Sequence, residues 1–139
     1  MILSDRISLK PNALEVVRLN EWLDRKFTES GLDRSLAADL KLCLNEIVAN
    51  LISYSFKQTP DPLMVIDVTL RQDSAAATVS DNGPYFDLRE WTSAKDRDLM
   101  TGELGGFGIA LIKERASQID YTRVDGMNRL RIVCEATNA

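Results

Sequence analysis

The 139-residue sequence predicts a two-layer α+β sandwich, with helices gathered on one face of a mixed, mostly antiparallel sheet, and three observations predict it. Two long stretches repeat apolar residues at helical spacing between capping signals. Residues 63–80 alternate like a hairpin that turns at Arg71-Gln72-Asp73-Ser74. A second turn pair, Asp125-Gly126, precedes a final apolar strand.

In chain order, residues 2–9 read as a strand ended by Lys10-Pro11, with Asn12 placed to cap a helix. The helix follows from Ala13 to about Glu29 through Leu14, Val17, Trp22, Leu23 and Phe27, and Gly31 stops it. Asp33 caps a second helix, expected from about Ser35 to Phe56 through Leu36, Leu40, Cys43, Leu44, Ile47, Val48 and Leu51. Thr59-Pro60-Asp61-Pro62 breaks the chain. Strands are expected over 63–71, with Met64, Ile66, Val68 and Leu70 on one face, and over 75–80. From Asp87 to about Gly102 the sequence has no period, and a loop of that length is more often a functional lid than a plain connection. A helix from about Phe107 to Ala116 and strands over 118–124 and 129–135 complete the pattern.

Composition narrows the class. At 45% apolar residues, residues 1–139 suit a single domain with an adequate core. The N-terminus reaches charge too early for a signal peptide, and no apolar run approaches the ~18 residues of a membrane span. Scattered basic residues, 17 Lys and Arg against 21 Asp and Glu, argue against nucleic acid as a partner. Cys43 and Cys134 lie far apart along the chain, show no CxxC spacing and have no histidine to complete a zinc site, so they read as buried thiols of a cytoplasmic protein.

Three short stretches carry the chemistry. Glu46 and Asn50, four apart, project from one side of the second helix beside its apolar stripe; alone they read as an ordinary exposed pair, and only their context points to a pocket wall. Asp81-Asn82-Gly83-Pro84 is a good turn sequence, yet no strand pattern follows it. A carboxylate at a strand end can accept from the exocyclic amine of adenine, and a glycine beside it lets a base approach the backbone. Gly102, Gly105, Gly106 and Gly108 hold four of the seven glycines just before Ile109-Ala110-Leu111-Ile112. They fit either a hinge or a phosphate cradle at a helix N-terminus. The spacing is neither a P-loop nor a dinucleotide fingerprint.

In this order the stretches resemble the N, G1 and G2 boxes of the histidine-kinase-like ATPase superfamily. The string from Val79 to Asp87 is most similar to the bacterial anti-sigma-factor serine kinases of partner-switching pathways. The resemblance implies a Bergerat-type ATP-binding fold, ATP and Mg²⁺ as ligands, and a role for each motif residue. Asn50 would hold Mg²⁺ on the phosphates, Asp81 would read the adenine amine, and Gly83 would admit the base. Gly105, Gly106 and Gly108 would wrap the phosphates, and Glu46 would be the general base toward a partner's serine. Implied partners are an anti-sigma-factor antagonist bearing that serine, a sigma factor, and a second copy of the chain. Tyr54 stands where the family usually has His, and Asn128-Arg129 where a Gly-Thr pair often opens the last strand. Lys95 and Arg97 fit a γ-phosphate contact or a solvated loop. A sensor histidine kinase is excluded by the absence of histidine. Water in place of serine as acceptor, and a non-catalytic protein that sequesters a sigma factor or other regulator in an ATP-dependent way, both stay open.

Overall fold

The computed structural model describes residues 2–90 and 105–136. Strand β1 (Leu3–Leu9) leads through Asn12 into α1 (Ala13–Ser30). The Asn12 side chain accepts from Glu15 N at 3.0 Å, and Gly31 closes the helix in the left-handed region at φ 68°. Such an N-cap is worth about 1 kcal/mol. Helix α2 (Arg34–Ser53) starts on the Asp33 carboxylate, which accepts from Ser35 N at 3.1 Å and Leu36 N at 3.2 Å.

The expectation that α2 runs to Phe56 is corrected. Tyr54 leaves helical geometry at φ −124°, and a 3₁₀ turn over Ser55–Gln58 follows. The Thr59 hydroxyl donates to the Ser55 carbonyl at 2.7 Å, satisfying one of the carbonyls that a helix end exposes.

Strands β2 (Met64–Leu70) and β3 (Ser74–Asp81) form the expected hairpin, followed by a 3₁₀ turn at Leu88–Glu90. Helix α3 (Gly105–Arg115) then leads to β4 (Gln118–Val124) and β5 (Met127–Glu135). Among the described residues five strands lie in the order β1-β2-β3-β5-β4, and every pairing is antiparallel rather than mixed. Most of the expected lid, including Lys95, Arg97 and Gly102, lies outside the described residues.

One face of the sheet carries the core. Met64, Ile66, Val68 and Leu70 all point to it, as expected from their alternation, and Val79, Leu130 and Ile132 join them from β3 and β5. Against this face pack Leu19 and Leu23 of α1, Leu40, Leu44 and Val48 of α2, and Ile109 and Ile112 of α3. Full burial of each such side chain contributes about 1.5–3 kcal/mol. Cys43 and Cys134, distant in sequence, meet here as free buried thiols, and the hydrogen bond to Cys134 together with burial pushes the Cys43 thiol up.

The β4–β5 hairpin aligns polar side chains across three strands. Asp125 and Gly126 both take positive φ, 52° and 77°, the backbone of a two-residue type I′ turn. That turn fixes the register, so Arg123 pairs with Asn128, and on its other side Asn128 pairs with Asp81.

Candidate functional site

A cavity opens where the C-terminal end of α2 faces the ends of β3, β4 and β5. It is lined by Ile47, Asn50 and Tyr54 from the α2 side, Asp81 of β3, Tyr121 of β4 and Asn128 of β5, with Leu51, Val79, Phe86, Leu88 and Leu130 supplying apolar wall. Ser55 of the 3₁₀ turn completes the rim. Tyr54 and Phe86 meet edge to face across the opening, ring centroids 6.1 Å apart.

Three polar groups in this wall have unused hydrogen-bonding capacity among the described residues. Asn50 is 8% exposed, yet its side chain makes no hydrogen bond. Ser55, equally buried, has no partner for its hydroxyl. Asp81 uses Oδ1, which accepts from Gly83 N at 2.8 Å and Asn128 Nδ2 at 3.1 Å, while Oδ2 has no protein partner. Buried polar groups without partners are costly, so three around one cavity mark a place built for a polar ligand. Burial pushes the Asp81 carboxyl above its ordinary value, against the hydrogen bonds from Asn128 and Gly83 and the charge of Arg123, which hold it down.

Gly83 sits in a tight place. A Cβ there would lie 3.0 Å from Asp81 Oδ1 and 3.2 Å from Ser55 Cβ. Asn82, between them, faces elsewhere. Its Oδ1 accepts from Leu63 N at 2.7 Å and its Nδ2 donates to Asp61 O at 3.0 Å, which anchors the approach to β2.

The chain matches the Histidine kinase-like ATPase domain over residues 8–134. It belongs to that family. The serine/threonine-protein kinase BtrW of Bordetella bronchiseptica is 28% identical over 132 residues, covering 93% of this chain and 92% of that protein. Serine-protein kinase RsbW of Listeria monocytogenes is 27% identical over 135 residues, covering 89% and 83%. The solved structure of the RsbU and RsbW domains of Rv1364c from Mycobacterium tuberculosis superposes with a TM-score of 0.67 at 17% identity. The match covers 96% of this chain and 32% of that one, and it shows the shared fold.

In this chain the expected residues fall into two groups. Asn50, Asp81 and Gly83 gather at the cavity. Glu46, one turn before Asn50 on α2, is half-buried and faces α3. A Cβ at Gly108 would stand 2.5 Å from Glu46 Oε2. Glu46 makes no hydrogen bond or ion pair among the described residues. Gly105 and Gly106, expected in a turn before the helix, are instead the first residues of α3. Their helical backbone puts them in the first turn, whose N–H groups lack intrahelical partners. Among the described residues no cluster of three or more His, Cys, Asp or Glu could hold a metal ion, and no helix is long and apolar enough to cross a membrane.

Arg123, Tyr121 and Ser55 belong to the site although no sequence motif marks them, and Asn128 stands out in the sequence only as a departure from the family pattern. The Asp125-Gly126 turn could have revealed two of them, because a two-residue hairpin loop sets 123 opposite 128. Beyond the cavity, Arg89 grips Asp87 through Nε and Nη2, the latter at 2.8 Å from Oδ2. Burial opposes ionisation of Asp87, but these bonds win and hold its carboxyl below the ordinary value.

Proposed function

We propose that this chain is an ATP-dependent protein serine kinase of the anti-sigma type, acting on an antagonist protein in a partner-switching pathway. The observation that carries the reading is the pairing of Asn50 and Asp81. Both are buried side chains with unused polar atoms, they line one cavity, and they stand in a family whose relatives are named serine-protein kinases.

In this reading Asp81 accepts from the adenine amine, with Gly83 keeping the backbone close beneath it. Asn50 supplies an amide oxygen, a hard ligand suited to Mg²⁺ on the phosphates. Bound Mg²⁺ would neutralise charge on the triphosphate. Gly105 and Gly106 present first-turn N–H groups of α3 to the phosphates, where the helix dipole favours negative charge, and Gly108 leaves the helix surface beside them bare. Glu46 takes the proton from the partner's serine hydroxyl as that oxygen bonds to the γ-phosphorus, and the γ-phosphorus to bridging-oxygen bond breaks to leave ADP. Such a base contributes about 10²–10⁴ in rate. A sigma factor and a second copy of the chain are further partners this reading implies.

The test is incubation with Mg-ATP and a candidate antagonist protein bearing the serine. Transfer of phosphate that falls about 10²–10⁴-fold in Glu46→Ala, with nucleotide binding retained, supports the kinase. Nucleotide binding without transfer in the wild type would favour a protein that sequesters its partner with ATP as a ligand only.

A further inference from the structure

We propose that Asn128 is the positioning residue that decides how Asp81 reads a purine base, leaving one carboxylate oxygen available and so favouring adenine over guanine nucleotides. The proposal rests on the reading of the cavity as a nucleotide site. It concerns a residue that stands outside the three motifs.

Each carboxylate oxygen offers about two lone-pair directions. Asp81 Oδ1 has both filled, by Gly83 N at 2.8 Å and Asn128 Nδ2 at 3.1 Å. Only Oδ2 has no partner among the described residues. Adenine offers one amine at C6 beside a ring acceptor, and a single oxygen satisfies it. Guanine offers an oxo group at C6 and two adjacent donors, N1–H and the 2-amine, which engage a carboxylate best through both oxygens at once. With Oδ1 occupied that fork is closed.

Asn128 is held in one orientation. Its Oδ1 accepts from Arg123 Nη1 at 2.9 Å and from the Tyr121 hydroxyl. Its Nδ2 faces Pro84 O at 2.9 Å and Gly83 O at 3.2 Å as well as Asp81. A flipped amide would set its oxygen against a carboxylate and two carbonyls, and its NH₂ against a guanidinium. Arg123 Nη1 also donates to Gly83 O at 3.0 Å, which ties the segment after Asp81 to the same network. At 3% exposure, Asn128 meets little competing water.

The groups facing Asp81 also define a readout that simple packing would leave unmoved. Arg123 on β4 is the cation acting on it, Asn128 on β5 and Gly83 N are its donors, and Asn50 and Ser55 across the cavity are neutral. Removing the Asn128 donor therefore raises the pH at which Asp81 gains a proton and stops accepting from the base.

The test is equilibrium binding of Mg-ATP and Mg-GTP, across mildly acid to neutral pH, to the wild-type chain, Asn128→Leu and Tyr121→Phe. The wild type should prefer ATP. Asn128→Leu should cut the ATP-to-GTP affinity ratio about tenfold, the worth of one hydrogen bond to a charged group, and move the acid midpoint of ATP binding upward. Tyr121→Phe keeps the ring, removes one of the two donors that hold the amide oxygen, and should shift both in the same directions by less. If Asn128→Leu weakens both nucleotides equally and leaves the midpoint in place, the proposal is overturned. Should Asn128→Leu not fold, an unchanged ratio and midpoint in Tyr121→Phe overturns it instead. A wild type that binds GTP as tightly as ATP defeats the selectivity claim while leaving the nucleotide site standing. A wild type that binds neither removes the underlying reading as well.

Discussion

Glu46 Oε2 lies so near Gly108 that a methyl group there would stand 2.5 Å from it. The carboxylate is the far end of a flexible side chain, so Gly108→Ala can be relieved by moving Glu46. Alanine in place of a helical glycine ordinarily gains roughly 0.5–1 kcal/mol. We expect thermal melts of Gly108→Ala to show little net change and, on the proposed reading, phosphate transfer to fall by at least about tenfold, because the proposed base is displaced. In a Glu46→Ala background the same substitution should become stabilising by the full amount, and a double-mutant cycle measures the difference.

Asp81→Asn should separate folding from binding. A carboxyl whose pKa is raised in the fold contributes stability where it is protonated, below its ordinary value, and that contribution is lost as pH rises through the raised one. At neutral pH Asp81 therefore costs stability, and Asp81→Asn should melt higher than the wild type. Its new amide N–H₂ meets the base amine donor to donor, so ATP affinity should fall about ten- to a hundredfold by calorimetry. In the wild type, ATP binding should decline as pH falls through the raised value.

Arg89→Gln leaves the buried Asp87 carboxylate without its fork of donors. Arg89 is 45% exposed and its charge is screened, so urea unfolding at neutral pH should show a modest loss of stability. Asp87 has a lowered pKa, so its contribution is complete above the ordinary carboxylate value and disappears as pH falls through the lowered one. The two proteins should converge in stability in strong acid.

Gly126→Val places a β-branched residue at φ 77° and should destabilise the chain by about 1–2 kcal/mol. The turn sets the register that pairs Arg123 with Asn128, the residue that stands opposite Asp81 on the neighbouring strand. Nucleotide affinity should therefore weaken more than in a surface variant of equal stability loss, as binding measured well below the melting temperature would show.

Much of this was legible in the sequence because local rules and tertiary packing agree. Asn12, Gly31 and Asp33 mark helix ends by chemistry that acts within a few residues, and the alternation from Met64 to Leu70 needs only a sheet with one buried face. The motifs also led to Asn50, Asp81 and Gly83, whose meeting at one cavity depends on α2 packing against the end of β3. Where the sequence said less, the deciding interaction left no mark on the apolar spacing. Ser55 left α2 because Tyr54 broke the helix and Thr59 took up a carbonyl, while the spacing of apolar residues ran on undisturbed. Cys43 and Cys134 stand 91 positions apart in number, and only the packing of α2 on β5 makes them neighbours. Tyr121 and Arg123 look like ordinary strand residues until the register sets them beside Asn128.

The network of Tyr121, Arg123 and Asn128 around Asp81 is knitted into three neighbouring strands, so its entropy is lost once, when the chain folds, and not again at each encounter with a ligand. Discrimination at that end of the cavity should therefore operate at first contact, with the rest of the ligand still free to sample its surroundings.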